Sequence, residues 1–103
     1  MIASPDGRLS ICAAGNAGMA TGGSGDVLAG IAGAIATQRR TDLASATPSL
    51  HDVAAAAVYL HAAAGDVAAD TLGEYSLTAS DIVAGIATVT KGLSDSKTPL
   101  SLL

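Results

Sequence analysis

A glycine-rich stretch divides this sequence into a short extended part and a longer helical part. Residues 15–25 hold five of the chain's twelve glycines, and an apolar segment with helical spacing begins directly after them, at Asp26. Gly30 and Gly33 lie inside that segment, where each costs about 1 kcal/mol relative to alanine. We therefore predict a helix from Asp26 to about residues 38–40 that packs closely on something flat. Its apolar face comprises Val27, Leu28, Ile31 and Ile35.

The residues before the glycines are typical of a β-hairpin. Two extended segments, 1–4 and 8–13, flank the turn Pro5-Asp6-Gly7, in which proline presets φ and glycine accepts a positive φ. In the second segment Leu9, Ile11 and Ala13 alternate with polar or small residues.

Two capping patterns predict two further helices. Ser49 with Asp52 starts the first, which runs to about Ala69, although Gly65 indicates an end near that position. Thr78 with Asp81 starts a shorter helix, and Lys91 begins a frayed tail. We expect residues 41–48, which are polar and include a proline, to form a loop. The last helix carries one apolar stripe, composed of Ile82, Val83, Ile86 and Val89.

Composition limits both the core and the partners. The chain is 50% hydrophobic, yet it has 23 alanines, no phenylalanine and no tryptophan, so its large apolar surface is small. A net charge of -4 and a single adjacent basic pair give no stripe for nucleic acid. The one cysteine excludes an internal disulfide, and no apolar run reaches the ~20 residues of a membrane span. We expect a cytoplasmic protein without membrane or nucleic-acid partners.

The glycine-rich turn, which ends in Gly22-Gly23-Ser24-Gly25-Asp26, carries the chemistry. The first N–H groups of a helix lack intrahelical acceptors and favour anions, and glycine allows a phosphate to approach the backbone. Asp26 would repel that phosphate unless its carboxylate faces the other reactant as the base for an attacking hydroxyl. The structural alternative is that Asp26 is a helix-capping aspartate and the glycines form an ordinary turn.

Two ordered runs resemble a known family. They are the residues 15–30, Gly-Asn-Ala-Gly-Met-Ala-Thr-Gly-Gly-Ser-Gly-Asp-Val-Leu-Ala-Gly, and the residues 58–66, Val-Tyr-Leu-His-Ala-Ala-Ala-Gly-Asp. Both are similar to the C-terminal part of the ADP/ATP-dependent NAD(P)H-hydrate dehydratases, carbohydrate-kinase-related relatives of ribokinase. Residues 77–82 resemble the start of that family's last helix, and Ala17 stands where the family usually has proline.

The resemblance implies an α/β fold, the C-terminal part of a ribokinase-like three-layer α/β/α sandwich, here a β-hairpin followed by about three helices. It implies repair of the S epimer of NADHX or NADPHX: ADP, or ATP in eukaryotic members, phosphorylates the added hydroxyl, and phosphate is then eliminated. By position, Gly25 resembles a residue that contacts the AMP part of the nucleotide, and Asp26 the substrate-contacting, catalytic aspartate. A homo-oligomer is expected of the full-length protein.

Helix-end physics adds Gly22, Gly23 and Ser24 as further donors to the phosphates. Mg²⁺ is expected only through those phosphates, because no His, Cys or carboxylate spacing supports a metal site made by protein alone.

The remaining polar residues have ordinary structural interpretations. We expect His61 to be a hydrogen-bonded packing histidine and Asn16 to serve turn geometry, with an approach to the nucleotide left open. We expect His51 to be exposed in a first helical turn, and Asp66 to lie with Asp70 on a solvated face. Cys12 is expected to be an inert, partly buried thiol.

The resemblance covers residues 1–103 but only the C-terminal third or so of the family's domain. We therefore interpret the chain as a fragment whose helices lie against a sheet that it does not contain. Two alternatives remain: a small-molecule kinase of the ribokinase superfamily that uses Asp26 as base, and an inactive helical fragment that binds a partner through its apolar faces.

Overall fold

The computed structural model describes residues 1–41 and 49–95. It is a small α/β arrangement of one antiparallel hairpin and three helices. The strands are β1 (Ile2–Ala3) and β2 (Leu9–Ser10), and the helices are α1 (Ser24–Thr41), α2 (Leu50–Leu72) and α3 (Ala79–Asp95). A short 3₁₀ helix (Ala17–Met19) lies between the hairpin and α1. The loop predicted over residues 41–48 is wrong at Thr41, which belongs to α1, and residues 42–48 lie outside the described residues, as do those after Asp95.

The predicted hairpin is confirmed, with a shorter ladder than the sequence indicates. Ile2 pairs with Ser10 and Ala3 with Leu9. The turn closes through the Ser4 amide, which donates to the Arg8 carbonyl at 3.0 Å, and Gly7 takes the positive φ of 94° that the turn requires. After Ser10 the chain leaves the ladder.

The predicted inner face of α1 is also confirmed. Ile31 is buried, and Val27, Leu28 and Ile35 are partly buried. The helix begins at Ser24, two residues before the predicted start, because the Gly23 carbonyl already accepts the first i→i+4 hydrogen bond, from the Val27 amide. The opposite face of α1 is an exposed stripe of small residues, which comprises Gly25, Ala29, Gly30, Gly33 and Ala34.

Helix α2 starts as predicted and ends later than predicted. Ser49 accepts a hydrogen bond from the Asp52 amide at 3.1 Å, and the Asp52 carboxylate accepts one from the Ser49 amide at 3.2 Å. The end predicted at Gly65 is wrong, because the helix continues to Leu72. Gly65 is a packing position: a Cβ there would overlap the side chain of Met19. Gly73, with a φ of 78°, follows the helix end.

Helix α3 likewise starts as predicted and continues beyond the predicted tail. The Thr78 amide donates to the Asp81 carboxylate at 2.9 Å, which caps the first turn. The frayed tail predicted from Lys91 is wrong for residues 91–95, which belong to α3. An ion pair of 2.7 Å joins the side chains of Lys91 and Asp95, one helical turn apart. Val83 departs from the predicted stripe, since it is 52% exposed.

The core lies between α2 and α3, and half of its buried members are alanines. Its buried members are Ala64, Ala68, Leu77 and Ile82. Partly buried side chains from the 3₁₀ helix, α1 and α3 surround them: Met19, Val27, Ile86 and Val89. Because alanine fills little volume, the two helices approach closely, and Gly85 lies directly against the Ala64 carbonyl.

Several large apolar side chains lie outside this core. On the hairpin side Leu9 is 58% exposed and Ile11 is 76% exposed, so the apolar face of the second segment points away from the helices. Within residues 1–41 and 49–95, no helix combines the length and apolarity that crossing a membrane requires.

Gly85 offers a direct test of the contact between α2 and α3. We expect Gly85→Ala to lower the free energy of unfolding by about 1–3 kcal/mol, because the new Cβ overlaps the Ala64 carbonyl. Gly92→Ala is the matched control on the same helix. Its Cβ meets open space, so we expect it to raise the free energy of unfolding by roughly 0.5–1 kcal/mol. Urea unfolding measures both, and equal effects would contradict the close approach.

Candidate functional site

The N-terminus of α1 presents open backbone donors. Gly23 has a φ of 91° and its carbonyl accepts from the Val27 amide at 3.1 Å, which closes the first turn of the helix. In the same turn, the amides of Gly25 and Asp26 have no acceptor in the described part of the chain. A Cβ added at Gly22 or Gly25 would meet no other atom within 4 Å. The surface is therefore open to an anion of phosphate size.

Asp26 lies in the same first turn. Its side chain is exposed, and it makes no hydrogen bond or ion pair with any other described residue. It is not a capping residue of the kind seen at Asp52 and Asp81, whose carboxylates accept from the amide three positions earlier. The capping alternative for Asp26 thus has no hydrogen bond to support it, and its carboxylate is available for a reactant.

Ser24 holds the helix start from the inner side. It is 7% exposed, and its amide donates to the Thr21 carbonyl at 3.2 Å. His61 on α2 lies 3.0 Å from the Ser24 carbonyl and 3.2 Å from its hydroxyl, both measured from Nε2. A carbonyl only accepts, so Nε2 carries the hydrogen and donates it. His61 is thus a partly buried, hydrogen-bonded packing histidine, as predicted.

Asp66 holds the other end of the glycine-rich stretch. One carboxylate oxygen accepts from the Gly15 amide at 3.0 Å, and the other accepts from the Asn16 side-chain amide at 2.8 Å. The predicted solvated role of Asp66 is wrong for this reason, whereas Asp70 is exposed. Asn16 also caps the 3₁₀ helix by accepting from the Gly18 amide at 3.0 Å, so its predicted role in turn geometry is confirmed.

A second histidine on α2 joins that helix to the hairpin. The exposure predicted for His51 is wrong, since it is 8% exposed. Its Nδ1 lies 2.5 Å from the Ser4 hydroxyl and its Nε2 lies 2.8 Å from the Ser10 hydroxyl. Both partners are more than 40 residues away in sequence, so no local pattern around His51 signals the burial. Cys12 is partly buried, as predicted.

Charged groups at the surface surround this junction. The Arg8 guanidinium donates to the Ser49 hydroxyl at 2.9 Å and lies 3.7 Å from the Asp52 carboxylate. The side-chain and backbone hydrogen bonds of Ser49 hold the pKa of Asp52 below its usual value. The ionised Asp52 carboxylate therefore stabilises the fold fully at pH values above the usual pKa of an aspartate. This contribution is lost as the pH falls through the lowered pKa of Asp52.

The described residues contain no group of three or more His, Cys, Asp or Glu side chains that could hold a metal ion.

Comparison with known proteins assigns the chain to a class. A family model of the carbohydrate-kinase type matches residues 1–88. That family is described as NAD(P)H-hydrate dehydratase, and the chain belongs to it.

Curated relatives agree over the same region. A bifunctional NAD(P)H-hydrate repair enzyme from Coxiella burnetii is 49% identical over 72 residues, which are 70% of this chain and 13% of that protein. The corresponding Escherichia coli enzyme is 45% identical over 80 residues, 78% of this chain and 14% of the relative. An ADP-dependent (S)-NAD(P)H-hydrate dehydratase from Neisseria meningitidis is 42% identical over 73 residues, 71% of this chain and 22% of the relative.

The chain therefore matches only a small part of each of these relatives. No solved structure matches it.

Asp66 provides a test of the loop attachment. We expect Asp66→Ala to lower the free energy of unfolding by about 1–3 kcal/mol, because the Gly15 and Asn16 donors lose their acceptor. Asp70→Ala removes an exposed aspartate one turn later on the same helix, and we expect a change within about 0.5 kcal/mol. Denaturant unfolding compares the two, and a similar loss in both would contradict the attachment.

Proposed function

We propose that this segment forms one wall of the active site of a nucleotide-dependent dehydratase that acts on the S epimer of hydrated NADH or NADPH. The observation that carries the proposal is the unpartnered, exposed Asp26 carboxylate in the same helical turn as the free Gly25 and Asp26 amides. A phosphate and a carboxylate side by side suit a reaction in which a hydroxyl attacks a phosphoryl group. The names of the relatives support the same reaction class.

In this proposal the Asp26 carboxylate accepts the proton of the added hydroxyl on NADHX or NADPHX. The hydroxyl oxygen then forms a bond to the β-phosphorus of ADP, and AMP leaves. The phosphate then leaves with the electron pair of its C–O bond, and the neighbouring ring carbon loses a proton to solvent, which restores the double bond of the reduced nicotinamide. The net change converts hydrated cofactor and ADP into NADH or NADPH, AMP and phosphate.

The glycine-rich turn supplies the nucleotide contacts. We assign Gly25 to the AMP part of the nucleotide and Gly22, Gly23 and Ser24 to the phosphates. The open surface above Gly22 and Gly25 supports this assignment, whereas the Ser24 amide already donates to Thr21 and would have to be shared or released. Mg²⁺ would reach this surface with the phosphates, and no step is assigned to it.

The exposed faces support a larger domain around the segment. Beyond the first turn of α1, the exposed residues Ala29, Gly30, Gly33 and Ala34 offer no side chain larger than alanine, which suits packing on a sheet. Leu9 and Ile11 present an apolar strand face with no cover from the described residues. We propose that residues 1–103 are the C-terminal part of a three-layer α/β/α sandwich, in a cytoplasmic and homo-oligomeric enzyme.

A complementation experiment tests the function. The chain is coexpressed with the portion of the Neisseria relative that precedes its matching region, and the purified complex receives ADP and the S epimer of NADHX. We expect NADH, AMP and phosphate to appear together. Each polypeptide alone is the control. Accumulation of a stable phosphate ester would instead identify a kinase, and a folded monomer that binds no nucleotide would identify a binding module.

Asp26 is tested in the same complex. We expect Asp26→Asn to lower the rate of NADH formation by roughly 10²–10⁴-fold, because the amide cannot accept the proton. ADP affinity, measured by calorimetry, should stay within about threefold, since the change removes no phosphate donor. Asp70→Asn removes an equal charge from an exposed site and should leave both values unchanged. Full activity of the Asp26 variant would refute the assignment.

A further inference from the structure

We propose that His61 is a positioning residue that aligns and polarises the Ser24–Gly25 peptide, the group whose N–H faces the nucleotide. This inference rests on the proposed function for its link to the nucleotide. The hydrogen bond that His61 donates to a backbone carbonyl at the start of another helix gives this packing histidine a second role.

The contact reaches the site through one rigid unit. The Ser24 carbonyl and the Gly25 N–H belong to the same planar, trans peptide, so they point in opposite directions. His61 Nε2 donates to the carbonyl at 3.0 Å on the inner side, while the N–H is free on the outer side. Fixing the carbonyl therefore fixes the direction of the N–H.

The same hydrogen bond also strengthens the outer donor. A peptide whose oxygen accepts a hydrogen bond is polarised, and its N–H becomes a better donor. The inner environment favours this effect, because Ser24 is 7% exposed and competing water is largely excluded. Gly25 has no side chain to brace this peptide, so the orientation depends on the carbonyl contact and on the helix itself.

His61 lies on a segment of α2 that contacts the glycine-rich stretch at several points. Five residues along the same helix, Asp66 holds Gly15 and Asn16, the first residues of the glycine-rich stretch. Between them, Gly65 receives the side chain of Met19. One segment of α2 thus contacts the beginning, the middle and the end of the stretch, and His61 is the contact next to Asp26.

Three variants test this role. His61→Ala removes the donor, and His61→Gln keeps an N–H donor at similar reach. His51→Ala removes the other histidine of α2, whose ring forms hydrogen bonds with Ser4 and Ser10. The first readout is the amide ¹⁵N resonance of Gly25 in the 103-residue chain. We expect it to move toward its unfolded value in His61→Ala, and to return in His61→Gln. His51→Ala should leave it unchanged.

The second readout is the affinity for ADP in the complementing complex. We expect His61→Ala to weaken binding about threefold to tenfold and His61→Gln to recover most of the loss. An unmoved Gly25 resonance in His61→Ala, or no recovery in His61→Gln, would overturn the positioning role. A wild-type Gly25 resonance already at its unfolded value would overturn it too. If wild type binds no ADP while the Gly25 resonance behaves as expected, the proposed function fails and the peptide contact stands.

Discussion

Helix α2 can serve as the centre of this structure because it has almost no side-chain bulk at two consecutive positions. Ala64 receives the backbone of α3 at Gly85, and Gly65 receives the side chain of Met19. The next residue, Asp66, then lies close enough to accept hydrogen bonds from the glycine-rich stretch. A larger residue at Gly65 would displace the Met19 side chain, and a Cβ at Gly85 would push α3 away from the Ala64 carbonyl.

The abundance of alanine follows from the same constraint. A buried alanine removes little apolar surface from water, so a core such as Ala64, Ala68 and Leu77 gains less from burial than a core of leucines. It gains instead from close approach, in which backbone and methyl groups pack densely. Such a core suits a helical layer that also packs against other parts of a larger domain. The small-residue stripe on α1 and the exposed Ile11 offer the surfaces on which that support would act.

Local sequence patterns predict where the helices and the turn begin. The wrong predictions concern residues whose partners are distant in the sequence. Capping by Ser49 and Thr78 and the turn at Gly7 depend on residues within four positions, so the sequence reveals them. The burial of His51 depends on Ser4 and Ser10, and the role of Asp66 depends on Gly15. Gly65 resembles a helix end until Met19 is placed against it, which no spacing along α2 indicates. The site is predictable from the sequence as a glycine-rich turn before a helix that carries Asp26 in its first turn, and the family resemblance assigns roles to Gly25 and Asp26.

The two sides of the glycine-rich stretch differ in their hydrogen bonding, and this difference affects how the proposed site would bind a reactant. On the inner side, α2 forms hydrogen bonds with both ends of the stretch, through Asp66 at Gly15 and Asn16 and through His61 at Ser24. On the outer side, the Gly25 amide and the Asp26 carboxylate have no partner among the described residues. The Gly25 amide and the Asp26 carboxylate remain accessible to a reactant only if the stretch keeps its conformation. The contacts with His61 and Asp66 hold it in that conformation. Binding then needs little reorganisation of the backbone, because the donors already point outward before a phosphate arrives.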